Sequence, residues 1–280
     1  MKKIKRLLFV AALLALVLLA IWGNTALEVN TYEISHRDIP AAFDGFRIAQ
    51  VSDLHNAQMG KNNGRLLKKL TECQPDIIAI TGDMIDSRRT DVETALAFAE
   101  EAMKIAPCYY VAGNHEARLT EYDSFRRSLI ALGVVVLDDE KIALERGGEE
   151  IFLAGVCDTD FPTEIVFSDP QAVMQYKLSS LTGEGSFTVL LSHRPEYFDI
   201  YAESGADLVL CGHAHGGQIR LPYLGGLFAP DQGFFPEYDA GLYTQEDCNM
   251  LVSRGIGNSV FPVRINNPPE VILAELRPKT

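Results

Sequence analysis

The chain has 280 residues and sets 25 Lys and Arg against 38 Asp and Glu, a formal net charge of −13. With 47% hydrophobic residues, this composition excludes a disordered chain, a collagen-like repeat and a small disulfide-stapled scaffold. The acidic balance argues against a general basic surface for gripping nucleic acid, and the length suits one large domain or two small ones.

Lys2, Lys3, Lys5 and Arg6 open the chain, and an uncharged apolar run follows over residues 7–22. This is the layout of a secretory signal or a signal anchor. Sixteen residues fall slightly short of the roughly 17–25 that a spanning helix needs. Gly23, Asn24, Thr25 and Ala26 extend the span and offer a poor cleavage site, which favours an uncleaved anchor over a cleaved signal and secretion. The run lacks a polar face at any period, so a buried core helix fits it badly. The basic residues precede the run and Glu28 and Glu33 follow it, so the positive-inside rule puts the body outside the cytoplasmic membrane. Setting the four leading basic residues aside leaves 21 positive against 38 negative charges, a net near −17 for that body. Residues 1–30 therefore read as signal anchor and short linker, and 31–280 as a single catalytic domain.

Beyond the linker, short apolar runs rich in Val and Ile each end in polar residues with metal-binding side chains. Residues 47–52 lead into Asp53-Leu54-His55, 76–81 into Gly82-Asp83, and 109–112 into Gly113-Asn114-His115-Glu116. Residues 188–192 lead into His193, and 207–211 into Gly212-His213-Ala214-His215. Runs of four to six such residues read as buried strands. Between them, residues 64–73 place Leu66, Leu67, Leu70 and Cys73 on one helical face. Residues 90–105 open with Thr90 and Glu93 at capping-box spacing. Helices over 120–132 and 195–204 are closed by Gly133 and Gly205. Further strands are expected over 134–137, 142–145, 151–156, 249–253 and 271–276. The alternation predicts α/β layering with ligands at the carboxyl ends of the strands. The later strands add a second sheet, giving a two-sheet core with helices outside. Cys73 and Cys211 fall within apolar patterns and read as small core residues.

Asp53 and His55, like His213 and His215, are spaced two apart, which in extended backbone points both side chains to one side. Carboxylate with imidazole suits divalent Mn, Fe or Zn better than an all-sulfur site does. Glycines before Asp83, Asn114 and His213 let strand ends approach a crowded centre. Five of the six histidines end a strand; the sixth, His36, is expected at the surface.

Asp53-x-His55, Gly82-Asp83, Gly113-Asn114-His115-Glu116, His193 and Gly212-His213-x-His215, in this order, resemble the calcineurin-like metallophosphoesterase family. The match spans about residues 45–220. The continuation His215-Gly216-Gly217-Gln218 looks like a bacterial branch of membrane-attached phosphodiesterases, which includes a lipid pyrophosphatase acting on UDP-2,3-diacylglucosamine. The resemblance implies a four-layer fold and two divalent metals. Asp53, His55, Asp83 and His215 would hold one; Asp83, Asn114, His193 and His213 would hold the other, with Asp83 bridging. His115 is by resemblance no ligand; it contacts the phosphate or protonates the leaving oxygen. Glu116 stands where many members carry Asp. Arg194, Arg118 and Asn56 are candidates to steady a phosphate, with a solvated surface role as the alternative for both arginines. Residues 224–235, with Leu227, Phe228, Phe234 and Phe235 among glycines, read as a lid, a lipid-contacting rim or core beneath a long loop. The function expected is hydrolysis of a phosphodiester or pyrophosphate, in a substrate that is lipid-linked in one reading. The rivals are a phosphomonoesterase and a non-catalytic metal-binding scaffold.

Overall fold

The computed structural model describes residues 2–162, 169–183, 185–258 and 261–279. Two six-stranded sheets form its centre. The first runs, in spatial order, Glu28–His36, Glu270–Pro278, Arg47–Val51, Ile77–Thr81, Cys108–Val111 and Val135–Val136. The second runs Gly241–Gln245, Cys248–Val252, Leu208–Cys211, Thr188–Leu191, Glu149–Gly155 and Glu140–Arg146. The four strands from Arg47–Val51 to Val135–Val136 are mutually parallel, as are the four from Cys248–Val252 to Glu149–Gly155.

The apolar runs are continuous because these central strands are buried on both faces. Ile77 and Ala79 face the space between the sheets, where they join Val189, Leu191, Leu208, Leu210 and Phe187. Their neighbours Ile78 and Ile80 face outward onto Leu66, Leu70, Phe98 and Leu129 of the flanking helices. Leu190, Val209 and Cys211 do the same on the second sheet, against Met174, Leu178, Phe198 and Tyr201. The result is helix, sheet, sheet, helix: the four-layer α/β arrangement expected.

The helices Gly64–Cys73, Val92–Met103, Tyr122–Ala131 and Phe198–Ser204 fall where the periodicity puts them. Thr90 is not the cap of the second. Asp91 is, its carboxylate accepting from the Thr94 amide at 3.0 Å and the Thr94 hydroxyl at 2.8 Å. Residues 195–197 form a 3-10 turn before Phe198–Ser204, which ends at Gly205 with φ 86°. Several elements escape the sequence pattern, among them the edge strand Gly241–Gln245 and the two that follow. Strand Glu28–His36 is mostly polar and pairs parallel with Glu270–Pro278, some 240 positions away. Helix Pro170–Leu178 is capped by Asp169, which accepts from Gln171 N at 3.1 Å.

At the N-terminus, Lys2–Thr25 is a single 24-residue helix with none of its apolar span buried against the body. At 1.5 Å per residue it is about 36 Å long, enough for a hydrocarbon core of about 30 Å. All five cysteines are buried and free.

Candidate metal centre

The strand ends converge on one spot, although the local geometry differs from the extended pairs expected. Asp53, His55, Asp83, His213 and His215 have φ of 52°, 45°, 53°, 64° and 49°. They therefore lie in left-handed turns just past the strands. Such a conformation costs a non-glycine residue about 1–2 kcal/mol, and Asp and His tolerate it better than most. Cross-links over-determine it here: Asp53 N donates to Gly82 O at 3.1 Å, and His55 N to Asp83 O at 2.9 Å. The glycines serve as expected. A Cβ on Gly212 would lie 1.9 Å from Ser52 Oγ, and one on Gly113 would lie 2.4 Å from Asp83 Oδ1.

Two clusters of lone pairs result. In the first, His55 Nε2 is 3.1 Å from His215 Nε2, and His215 Nε2 is 3.4 Å from Asp53 Oδ1. In the second, Asn114 Oδ1 faces His213 Nδ1 at 3.1 Å, His193 Nε2 at 3.2 Å and Asp83 Oδ2 at 3.3 Å. Asp83 Oδ2 belongs to both, at 3.5 Å from His55 Nε2 and 3.2 Å from His193 Nε2. His193 Nδ1 meets Thr81 O at 2.8 Å, which places a ring proton there and aims Nε2 inward at Asp83. Acceptors aimed at acceptors in a buried site call for a cation. Oxygen and imidazole donors with no thiolate suit Mn, Fe or Zn. A rotated Asn114 amide would present its nitrogen to the same atoms; the oxygen-inward orientation is the one a metal requires.

The electrostatics agree. Burial pushes the His55 imidazole down to about 3 and His215 well below its usual value, so both keep free lone pairs. Burial also lowers His193, but the Asp83 and Asp53 carboxylates outweigh it and hold that imidazole at about 10. The proton shared by His193 and Asp83 is the charge that a bound cation would displace.

Glu116, fully buried, braces this arrangement. Its Oε2 accepts from Asp83 N at 2.8 Å and Gly113 N at 2.9 Å, and its Oε1 from Ile85 N at 3.1 Å. It thus ties the loop of Asp83 and Ile85 to that of Gly113 by their backbones. Glu116→Gln sets an amide NH2 against at least one of those N–H groups. It is expected to cost about 1–3 kcal/mol of stability, read from the urea unfolding midpoint at constant slope.

The other candidates divide. Arg118 reaches the centre, its two terminal nitrogens lying 3.1 and 3.2 Å from the Asn114 amide nitrogen, while Nη2 also pairs with Asp160 at 2.9 Å. His115 is buried beside His55, ring centroids 4.6 Å apart, and its Nδ1 accepts from Ser87 N at 3.0 Å. Asn56 spends its amide on Arg89 O at 2.5 Å and Asp86 N at 3.4 Å, joining two rim loops. Arg194 is neither solvated nor open to a phosphate. It is buried, with its donors taken by Asp158, Asp160, Glu196 and Asp231. His36 is a further correction. It is only 5% exposed, packed on Phe187 at 5.5 Å with Nε2 3.5 Å from Asp207, at the far end of the strands from the centre. A terminal strand residue is covered here by the facing sheet.

Sequence reasoning missed Asp231. Its Oδ2 lies 3.0 Å from His213 Nε2 and 2.7 Å from Arg194 Nη1, the carboxylate–histidine pairing that orients metal ligands. Its segment folds into two short hairpins, Arg220–Leu221 with Gly225–Gly226 and Phe228–Ala229 with Gly233–Phe234. Phe228, Phe234 and Phe235 are exposed, so core beneath a loop is the one reading of this segment that fails.

A β sandwich that gathers two acceptor clusters sharing one carboxylate at its strand ends defines a metal-dependent phosphoesterase with two divalent ions as cofactors. The chain belongs to the calcineurin-like phosphoesterase family, which matches it over residues 46–217. It is 28% identical to metallophosphoesterase YkuE of Bacillus subtilis over 90% of this chain and 86% of that one. It is 29% identical to phosphodiesterase YaeI of Escherichia coli over 73% and 72%. A Danio rerio transmembrane protein with a metallophosphoesterase domain is 28% identical over 94% of this chain and 61% of that protein.

Proposed function

We propose that this protein cleaves a phosphodiester or pyrophosphate bond at the outer face of the cytoplasmic membrane, held there by the uncleaved helix Lys2–Thr25 with residues 31–280 as one catalytic domain. The observation that carries the chemistry is the single oxygen, Asp83 Oδ2, common to both acceptor clusters. On this reading Asp53, His55, Asp83 and His215 hold one divalent ion, and Asp83, Asn114, His193 and His213 hold the other. When bound, such a pair activates water and clamps the phosphoryl oxygens during in-line attack.

The chain's own groups do the rest. With Ser87 N–H on its Nδ1, neutral His115 carries its proton on Nε2 and donates it as a hydrogen bond to the phosphoryl group. Burial lowers its pKa, which favours that neutral form. Arg118 and the Asn114 amide face each other donor to donor, a conflict that a phosphate oxygen between them would relieve. Asn56 keeps the rim loops in place for substrate, and Arg194 acts through Asp231 on His213. A lipid-linked substrate is favoured by the exposed Phe228, Phe234 and Phe235, carried on the segment that also supplies Asp231. The diester preference draws on the likeness to YaeI.

Dialysis of the full chain against a chelator tests the reading. Turnover of bis-p-nitrophenyl phosphate should fall at least about 100-fold and return with Mn, Fe or Zn. It should exceed turnover of the monoester. Absence of metal-dependent turnover under every reconstitution would sink the proposal.

A further inference from the structure

The last turn of the apolar helix is built into the catalytic body. Asn24 grips the backbone of Arg264 on both sides: its Nδ2 donates to Arg264 O at 2.9 Å, and its Oδ1 accepts from Arg264 N at 3.2 Å. The same Oδ1 accepts from Asn258 Nδ2 at 3.2 Å, and Asn258 Oδ1 accepts from Arg264 Nε at 3.1 Å. Gly23 lies so close that a Cβ there would sit 2.7 Å from Arg264 O.

Arg264 is an unusual residue to hold in this way. It is fully buried, its Nη1 has no hydrogen-bond partner, and no carboxylate pairs with it among the described residues. A charge kept out of water with no carboxylate bonded to it is costly, and Asp53 and Glu270 offset that cost only from a distance. Its Nη2 lies 3.5 Å from His215 Nδ1 and donates to Gly257 O. Gly257 N in turn donates to Asp53 O at 2.7 Å, and Gly257 packs against Leu54 O and the His55 Cβ. One buried side chain therefore touches His215 and the loop that seats Asp53 and His55. Those three form one of the two acceptor clusters. Among the described residues, His193 and Asn114 have no contact with Arg264 or Gly257, and His213 is joined to them only at one remove, its backbone N–H donating to the Asp53 carboxylate at 3.1 Å.

We propose that Asn24 is a positioning residue for the metal held by Asp53, His55 and His215, so that the membrane helix serves the metal centre as well as tethering it. The inference rests on the helix staying attached to the mature chain, and N-terminal sequencing of the purified protein checks that separately.

The test is calorimetric titration of Mn into the metal-free full-length protein in detergent, with Asn24→Ala, Arg264→Lys and the control Thr25→Ala. Among the described residues, Thr25 Oγ bonds only Ile21 O of its own helix. Asn24→Ala and Arg264→Lys should each weaken one of two Mn binding events about tenfold or more, in line with losses of orienting contacts at metal sites, and leave the other unchanged. Combined, they should weaken it little more than either alone. Thr25→Ala should match the parent. Wild-type affinities in Asn24→Ala would show that the helix is a tether only. Equal weakening of both events with a lowered Tm would show general damage. Either result overturns the proposal.

Discussion

Asp83→Asn is expected to empty the centre of both ions and to lower turnover by about 10³-fold or more, since several kcal/mol of transition-state stabilisation depend on them. The reason is geometric. Oδ2 is the oxygen common to the two clusters, and Oδ1 accepts from His115 N at 2.8 Å. An amide has one oxygen to give. If it faces the clusters, the nitrogen opposes the His115 N–H; if it faces His115, the nitrogen points at His55, His193 and Asn114 and repels a cation. The negative charge is lost in both cases. Metal content by plasma emission, measured beside turnover, decides the matter. An Asp83→Asn protein that retained both ions would show that the carboxylate is not shared.

His115→Ala should separate binding from chemistry. Nδ1 is taken by Ser87 N–H at 3.0 Å and only Nε2 is free, so the ring offers the phosphoryl group a donor. Removing it is expected to cost about 10²–10³-fold in kcat, the scale of a positioned proton donor, with both metals retained. The alternative is concrete, because His115 lies with His55 and Asp83 in a group of ligand atoms within 4.8 Å of one another. Loss of one metal in the variant would make His115 a ligand and would reverse the division of roles.

Much of the site was legible before any coordinates because its parts are local. A strand buried on both faces must be a short apolar run, and a polar side chain gathered at its end must follow directly. Asp53, Asp83, Asn114, His193 and His213 can therefore be read one motif at a time. The supporting groups could not be read that way. Asp231 sits in an aromatic loop and acts on His213 from 18 positions away, and nothing local marks it. Glu116 is visible beside His115, but its three backbone partners are not. Arg194 follows His193 and looks available; only the folded chain brings Asp158, Asp160, Glu196 and Asp231 around it.

The sequence by itself determined the layered α/β class, the apolar N-terminal helix and the kinds of atom offered to metal, because periodicity and residue chemistry are properties of neighbours along the chain. The tertiary structure decided the rest. It set the left-handed turns that aim the Asp and His side chains inward, the place of Asp83 Oδ2 between the two clusters, the burial of His36 and the grip of Asn24 on Arg264. Each of these depends on groups brought together from distant positions, up to 240 residues apart for Asn24 and Arg264. Contacts of that kind exist only once the two sheets have closed on their common core.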